Sequence, residues 1–328
     1  MWHVSSWQRL MVALAVLASI LTAAFAASVA IRTPGSYIAW IDGGVYVAVT
    51  LLSSGVILLR ASRGGPQGLG WTMLGAGLIL YTLGEAWWAA FGHWREDPLP
   101  LPPENALWLA FYPVQVIALW LLMGKVPRRH RNLHDALVVG GGVFVVLAVF
   151  IQWWLSGRAD PDPAASLLIN GIYVSGDLVL IALGLLLVSV HRFRVSPGWW
   201  LLVTGFIVFA LANTLYWVQV ARDTYVEGSW LDIGWLISVL ALAWAAVIDL
   251  EPLKPAQALS LRGMLPASLA VIASALALGW GPAGPFGEFA RFAAVATLAL
   301  SLARLNFAIR DAAEANEQRR RAFSDELT

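Results

Sequence analysis

Two carboxylates stand inside apolar runs where a membrane helix has least use for them. Glu85 lies in GEAWW (84–88) and Asp177 in NGIYVSGDL (170–178). A charged side chain at the centre of a bilayer costs roughly 2.5–3.5 kcal/mol on insertion scales, so it must face protein interior or a cavity. No Lys or Arg sits at matching depth to neutralise either acid. Around them polar groups and rings recur three residues apart: Asn105 with Trp108, Asn170 with Tyr173, Asp232 with Trp235. Trp87 and Trp88 follow Glu85, and Asn213 precedes Tyr216 and Trp217. Residues three apart are neighbours on a helix surface. Each pair therefore offers an aromatic ring beside an acid or amide, the chemistry of a binding pocket for a small molecule or a lipid.

The rings have a second reading. Trp belongs at membrane interfaces, where its body sits among headgroups and its N–H meets water. Of 18 Trp, 11 fall in what the topology below makes the outer half, an asymmetry that a plain belt does not require. Asn and Gln within spans are accounted for by helix–helix hydrogen bonds, worth about 0.6 kcal/mol each.

Other chemistries find no residues. There is no Cys, which excludes disulfides, thiol redox sensing and thiolate metal sites. The five His all lie in loops or at span ends, no Gly-rich phosphate loop follows a strand, and no His/Glu metal spacing appears on a helix. The sequence thus offers no catalytic residues, no metal ligands and no cofactor of its own. A net charge of +1 argues against a nucleic-acid partner.

What must position these residues is a membrane bundle. The chain has 328 residues, 59% hydrophobic and 12% charged, with mean hydropathy +0.71; soluble domains carry roughly 25% charged residues. A span needs about 20 apolar residues. Ten such runs are expected, at 10–30, 37–59, 69–91, 105–123, 136–155, 165–190, 198–220, 229–250, 264–281 and 287–306. Only helices satisfy their own backbone in lipid, and the short Pro-, Gly- and charge-rich loops make neighbouring spans antiparallel. Sixteen of the 21 Lys and Arg fall on one set of span ends; the other set holds only Arg32, Arg95, Arg158, Arg222 and Arg291. The positive-inside rule then puts both termini in the cytoplasm.

The even spans start alike. Asp42, Asn105, Asn170 and Asp232 follow one another at 63, 65 and 62 residues. The odd spans end alike, with Trp87–Trp88, Trp153–Trp154 and Tyr216–Trp217. Tandem helical hairpins of about 63 residues are read from this, with a degenerate fifth from Met264 on.

The last stretch differs. Leu302, Leu305, Ile309, Ala312, Asn316, Arg319 and Phe323 step by three and four, a heptad seam with no Gly or Pro between 302 and 328. Leu305, Ile309, Ala312, Asn316 and Phe323 are the residues expected to transmit a signal along this helix. The lone Asn316 at a seam position sets register and pairing, and a homodimer is the expected partner state.

The chain then reads AFSDELT (322–328). This resembles the start of a GGDEF domain, the catalytic domain of diguanylate cyclases, where a DxLT helix runs into GLPNRR; Asp325, Leu327 and Thr328 fit. Two membrane stretches resemble the multi-span sensor regions of actinobacterial GGDEF and GGDEF–EAL proteins. One is LPPENALWLAFYPVQVIALWLL (101–122) with NLHDALVV (132–139), where Tyr112 and Pro113 fit while Asn105 and Trp108 depart from the usual Asp and Tyr; the other is GSWLDIGWLISVLALAWAAV (228–247). The resemblance implies an all-α, polytopic sensory or anchoring domain over 1–301, a cytoplasmic linker helix over 302–324, and at 325–328 the first residues of a GGDEF output. That output would bind GTP and Mg and make cyclic-di-GMP, with or without a following EAL phosphodiesterase domain. A small-molecule transporter and a passive anchor are the alternatives; the repeats are single hairpins that all start inside, hence parallel, not inverted.

Overall fold

The computed structural model describes residues 6–33, 35–65, 67–92, 102–123, 195–248 and 290–302, with isolated positions between them. Among the described residues every regular element is a helix. The six in the first part of the fold are α1 (Ser6–Ile31), α2 (Tyr46–Ser62), α3 (Gly68–Trp87), α4 (Pro103–Met123), α5 (Pro197–Ala221) and α6 (Asp232–Val247). The π-helical turns Ala39–Val45 and Trp88–Gly92 lead into α2 and continue α3. Their ends follow the punctuation of the sequence. Proline opens α4 and α5, where its missing N–H costs nothing. Gly64 and Gly65, at φ +69° and +94°, turn the chain between α2 and α3 in a conformation that side chains resist.

Among the described residues four helical stretches are long and apolar enough to cross a membrane: Ser6–Ile31, Ala39–Ser62, Pro103–Leu122 and Pro197–Val220. The surface suits lipid. Ile20, Leu51, Leu83, Trp120 and Leu211 are exposed, while Thr50, Ser53, Ser54, Gln115 and Ser238 are buried. The expected runs 10–30, 37–59, 69–91, 105–123, 198–220 and 229–250 each fall on a helix, although α3 and the 16-residue α6 are not among the four. The runs 136–155 and 264–281, and residues 303–328 with Leu305, Ile309, Ala312, Asn316 and Phe323, lie wholly or largely outside the described residues, as does Asn170.

The residues divide into two compact units, Met1–Val126 with Asp160–Ala256, and Pro127–Ala159 with Gln257–Thr328. In the first, α2 packs on α1, α3 and α6, α3 on α4, and α5 on α6. The seam between α3 and α4 is written in heptads on both sides. Gly70 faces Leu122, Gly77 faces Gln115 and Gly84 faces Trp108, so that a Cβ on these glycines would fall 2.8, 2.7 and 2.5 Å from the opposing side chain. Without side chains on α3 the backbones approach closely, which is how helices associate when lipid removes the hydrophobic drive between them. The approach also lets Gln115 donate to the carbonyl of Leu74 at 3.2 Å and Gln67 to that of Leu122 at 3.2 Å. On the other face of α3, Gly75 accepts Leu58 of α2. A buried core of Ile57, Trp71, Leu74, Leu78, Leu119 and Leu122 fills the half of the bundle toward the α2–α3 turn.

In the second unit, Val145, Ala277 and Ala294 form a small buried cluster with Ala293 against it. Residues 290–302 are helical there, and Arg291 pairs with Glu288 at 2.5 Å.

Candidate functional site

At the opposite end of the first unit from the α2–α3 turn, the helix ends surround a cavity of about 270 Å³. Ligand cavities commonly run from about 300 to 1,000 Å³, so this one suits a small ligand. Of its 24 lining residues 12 are aromatic, and five are acids: Asp42, Glu85, Glu104, Glu227 and Asp232.

The floor is a contact between two tyrosines. Tyr46 of α2 and Tyr81 of α3 share a hydrogen bond at 3.1 Å, and Tyr81 meets the edge of Phe209 at 5.5 Å between ring centres. Both tyrosines are buried. One turn beyond Tyr81 on α3, Glu85 reaches the cavity wall with Tyr81 and Trp108 beside its carboxyl. The glycine seam makes this possible: Trp108 lies flat against Gly84, the residue before Glu85.

The opposite wall hangs on Asp177. Its carboxylate, 4% exposed, lies behind the lining rather than in it. Tyr112 donates to it at 3.0 Å, and the Asn213 amide reaches its two oxygens at 3.2 and 2.9 Å. Asn213 in turn accepts from the indole of Trp235 at 2.7 Å. Two lining residues, from α4 and α5, thus bond to one buried carboxylate, and a third, from α6, is joined to it through Asn213. Gly176 permits it, because the Tyr112 ring occupies the place a side chain would take. Beside this wall Tyr173 donates to Asn105 at 2.8 Å and packs on Trp217 at 5.9 Å.

The rim is tied by charge. Arg32, at the end of α1, binds both oxygens of Asp42, at 2.7 and 2.5 Å, and donates to the carbonyl of Gly228 at 2.7 Å. Trp88 donates to Glu227 at 2.5 Å. Asp232, at the start of α6, accepts from the backbone of Gly228 and Ser229 at 2.7 and 3.0 Å and from Tyr225 at 3.0 Å. Gly228 takes φ +74°, and the Arg32 guanidinium fills the space a side chain would need there. Burial first, then the neighbouring charge of Asp232, hold the Tyr225 phenol well above its ordinary pKa, so it remains a donor.

Of the residues singled out in the sequence, Glu85, Trp88, Asn105, Trp108, Tyr173, Asn213, Trp217, Asp232 and Trp235 line this one cavity, and so does Asp42. Asp177 supports the wall from behind. Trp87 points elsewhere: it is 40% exposed and meets the Phe91 ring at a tilt, 4.8 Å between centres, because adjacent helical residues differ by about 100° in direction. Sequence reasoning passed over Tyr37, Tyr46, Tyr81, Phe209 and Tyr225, all of them lining residues. It counted Arg32 only as a charge, not as the partner of Asp42.

Among the described residues no nucleophile–base pair lines the cavity, and no three His, Cys, Asp or Glu side chains come together to hold a metal. What the arrangement presents is aromatic rings and carboxylates around one small cavity. Fold and site together define an all-helical protein with membrane-length apolar helices and an aromatic, acidic cavity at one end of the bundle. No family model, curated protein or solved structure matches the chain.

Proposed function

We propose that this chain is the membrane sensory domain of a diguanylate cyclase, in which a small ligand bound in the cavity biases a C-terminal helix and, through it, a GGDEF output. On this reading the bundle has about ten spans in a bacterial inner membrane, both termini are cytoplasmic, and two copies pair along the helix at 302–323. The output domain, which takes GTP and Mg, follows at 325.

The observation that carries a receptor over a transporter is the form of the cavity. It is a pocket walled by rings at one end, and below it the bundle is closed by Trp71, Leu74, Leu78, Leu119 and Leu122, each 0–1% exposed. A transporter exposes a midplane site alternately to both sides. Among the described residues this site lies at one end of the bundle, with packed apolar side chains below it. A passive anchor has no use for a carboxylate such as Asp177, buried and dressed with three hydrogen bonds. The output assignment rests on AFSDELT following a heptad helix.

The test uses the parent protein in membranes, with cyclic-di-GMP formation as the readout. Four residues inserted after Ala315 rotate the output by about 40° beyond a full turn, whereas seven preserve facing. The expected result is altered activity with four and near-normal activity with seven. An equal response to both makes the helix a passive tether and defeats the reading.

A further inference from the structure

We propose that the cavity binds a small organic cation, a substituted ammonium group held against aromatic faces with Glu85 as its counter-charge. This names the ligand class for the site on which the sensory reading rests. Half of the lining is aromatic, and among the described residues no Lys, Arg or His lines it. Ring faces carry negative potential and attract a desolvated cation, and cages of Trp and Tyr are a recurring solution for ammonium ligands.

The acids decide between a cationic and a neutral guest. Asp42 is already matched by Arg32, whose guanidinium also donates to the Gly228 carbonyl. The charge of Arg32 is thus neutralised at the rim, and Arg32 is not among the lining residues. Asp232 is held by the Tyr225 hydroxyl and two backbone amides, none of which carries charge. Beside the Glu85 carboxyl lie Tyr81 and Trp108, again neutral groups, and the charged groups acting on it are the acids Asp232 and Glu227. An anionic ligand would meet these carboxylates with no Lys, Arg or His in the lining among the described residues, and like charges brought together cost several kcal/mol. A neutral apolar ligand would add no partner to the Glu85 carboxyl in the wall. A cation satisfies the ring faces and Glu85 together, and the size of the cavity limits it to a small one.

The experiment is equilibrium binding of radiolabelled choline to the purified chain in lipid nanodiscs. Competition uses its neutral isostere 3,3-dimethylbutan-1-ol and the anion 3,3-dimethylbutanoate. Saturable choline binding is expected, with the neutral isostere weaker by about tenfold or more and the anion weaker still. Glu85→Gln keeps the side-chain volume and should abolish the preference for choline over the neutral isostere. Three results overturn the proposal: no saturable choline binding, equal or tighter binding of the isostere or anion, or a choline preference that survives Glu85→Gln in a protein that melts like the wild type. None of them touches the insertion experiment on the C-terminal helix, so the ligand class and the sensory role fail separately.

Discussion

The Asn213 amide spans both oxygens of Asp177, at 2.9 and 3.2 Å, and its own carbonyl oxygen accepts the Trp235 indole at 2.7 Å. Asn213 is therefore the joint between a buried acid and the cavity wall. The order of donors matters: the amide nitrogen faces the carboxylate and the amide oxygen faces the indole. Exchanging the two residues keeps every donor opposite an acceptor. With Asn at 177 and Asp at 213, the new amide donates to the new carboxylate, Trp235 still finds an acceptor, and Tyr112 donates to the amide oxygen.

The first prediction follows from that geometry. Asn213→Asp alone sets two carboxyls against each other and should cost about 1–3 kcal/mol, the penalty for a broken buried pairing. The Asp177→Asn/Asn213→Asp exchange should recover at least about 1 kcal/mol of it, because residues in one network are not additive. Unfolding of the single and double variants in detergent measures this coupling. Strict additivity would mean that the network contributes nothing as a unit.

The glycine seam gives a graded test. An alanine at Gly70 would meet the backbone nitrogen of Leu122 at 2.8 Å, which cannot move aside. An alanine at Gly77 would meet the end of the Gln115 side chain at 2.7 Å, which can rotate away. Gly70→Ala should therefore lower stability by about 1–3 kcal/mol, the usual cost of overpacking. Gly77→Ala should cost less, mainly through the Gln115–Leu74 hydrogen bond. Equal melting temperatures for the two variants would show that α3 and α4 can part without penalty.

The ion pair at the rim is buried, with Arg32 8% and Asp42 2% exposed at their side chains. Removing one partner of such a pair costs about 3–5 kcal/mol, because the other charge is stranded. Asp42→Asn should therefore destabilise strongly, although it keeps an acceptor for the backbone of Ile38 at 2.6 Å. Adding Arg32→Met should restore part of the loss. Thermal unfolding of both singles and the double variant checks the sign; a double variant worse than either single would mean that the Arg32–Gly228 contact, not the pair, holds the rim.

How much of this was legible beforehand differs by residue, for physical reasons. The starts of the even spans announced themselves, because an acid or amide at the boundary of an apolar run is costly wherever it does not serve. Hence Asp42, Asn105 and Asp232 could be placed at one end of the bundle from spacing alone. Tyr46, Tyr81 and Phe209 could not, since a ring in an apolar helix looks the same whether it faces lipid, core or cavity. Asp177 and Glu85 were alike in sequence, yet one lies behind the wall and the other in it, a distinction that depends on which helix each faces. The seam of Gly70, Gly77 and Gly84 against Leu122, Gln115 and Trp108 was readable as two heptad series, but only with the pairing of α3 and α4 in hand.

Orientation is the remaining physical question, and the absence of cysteine makes it testable with single reporters. The cavity end of the first unit carries Arg32 and Arg222 among Asp42, Glu85, Glu104, Asp223, Glu227 and Asp232, and Arg32 is neutralised by Asp42. The other end carries Arg9, Arg60 and Arg63. Lys and Arg, not acids, set which end stays in the cytoplasm, so the cavity is expected to open outward. Thr224 lies exposed in the loop beside the cavity, and its hydroxyl makes only a 3.2 Å contact to the carbonyl of Gln219. Ser62 lies exposed at the end of α2, bonded to the carbonyl of Leu59 at 2.9 Å. Cysteine is close in size to either residue, so neither substitution should disturb the fold. In intact cells an impermeant maleimide should label Thr224→Cys, and should reach Ser62→Cys only after the membrane is opened. The reverse pattern would put the cavity on the cytoplasmic face, and the ligand would then have to come from inside the cell.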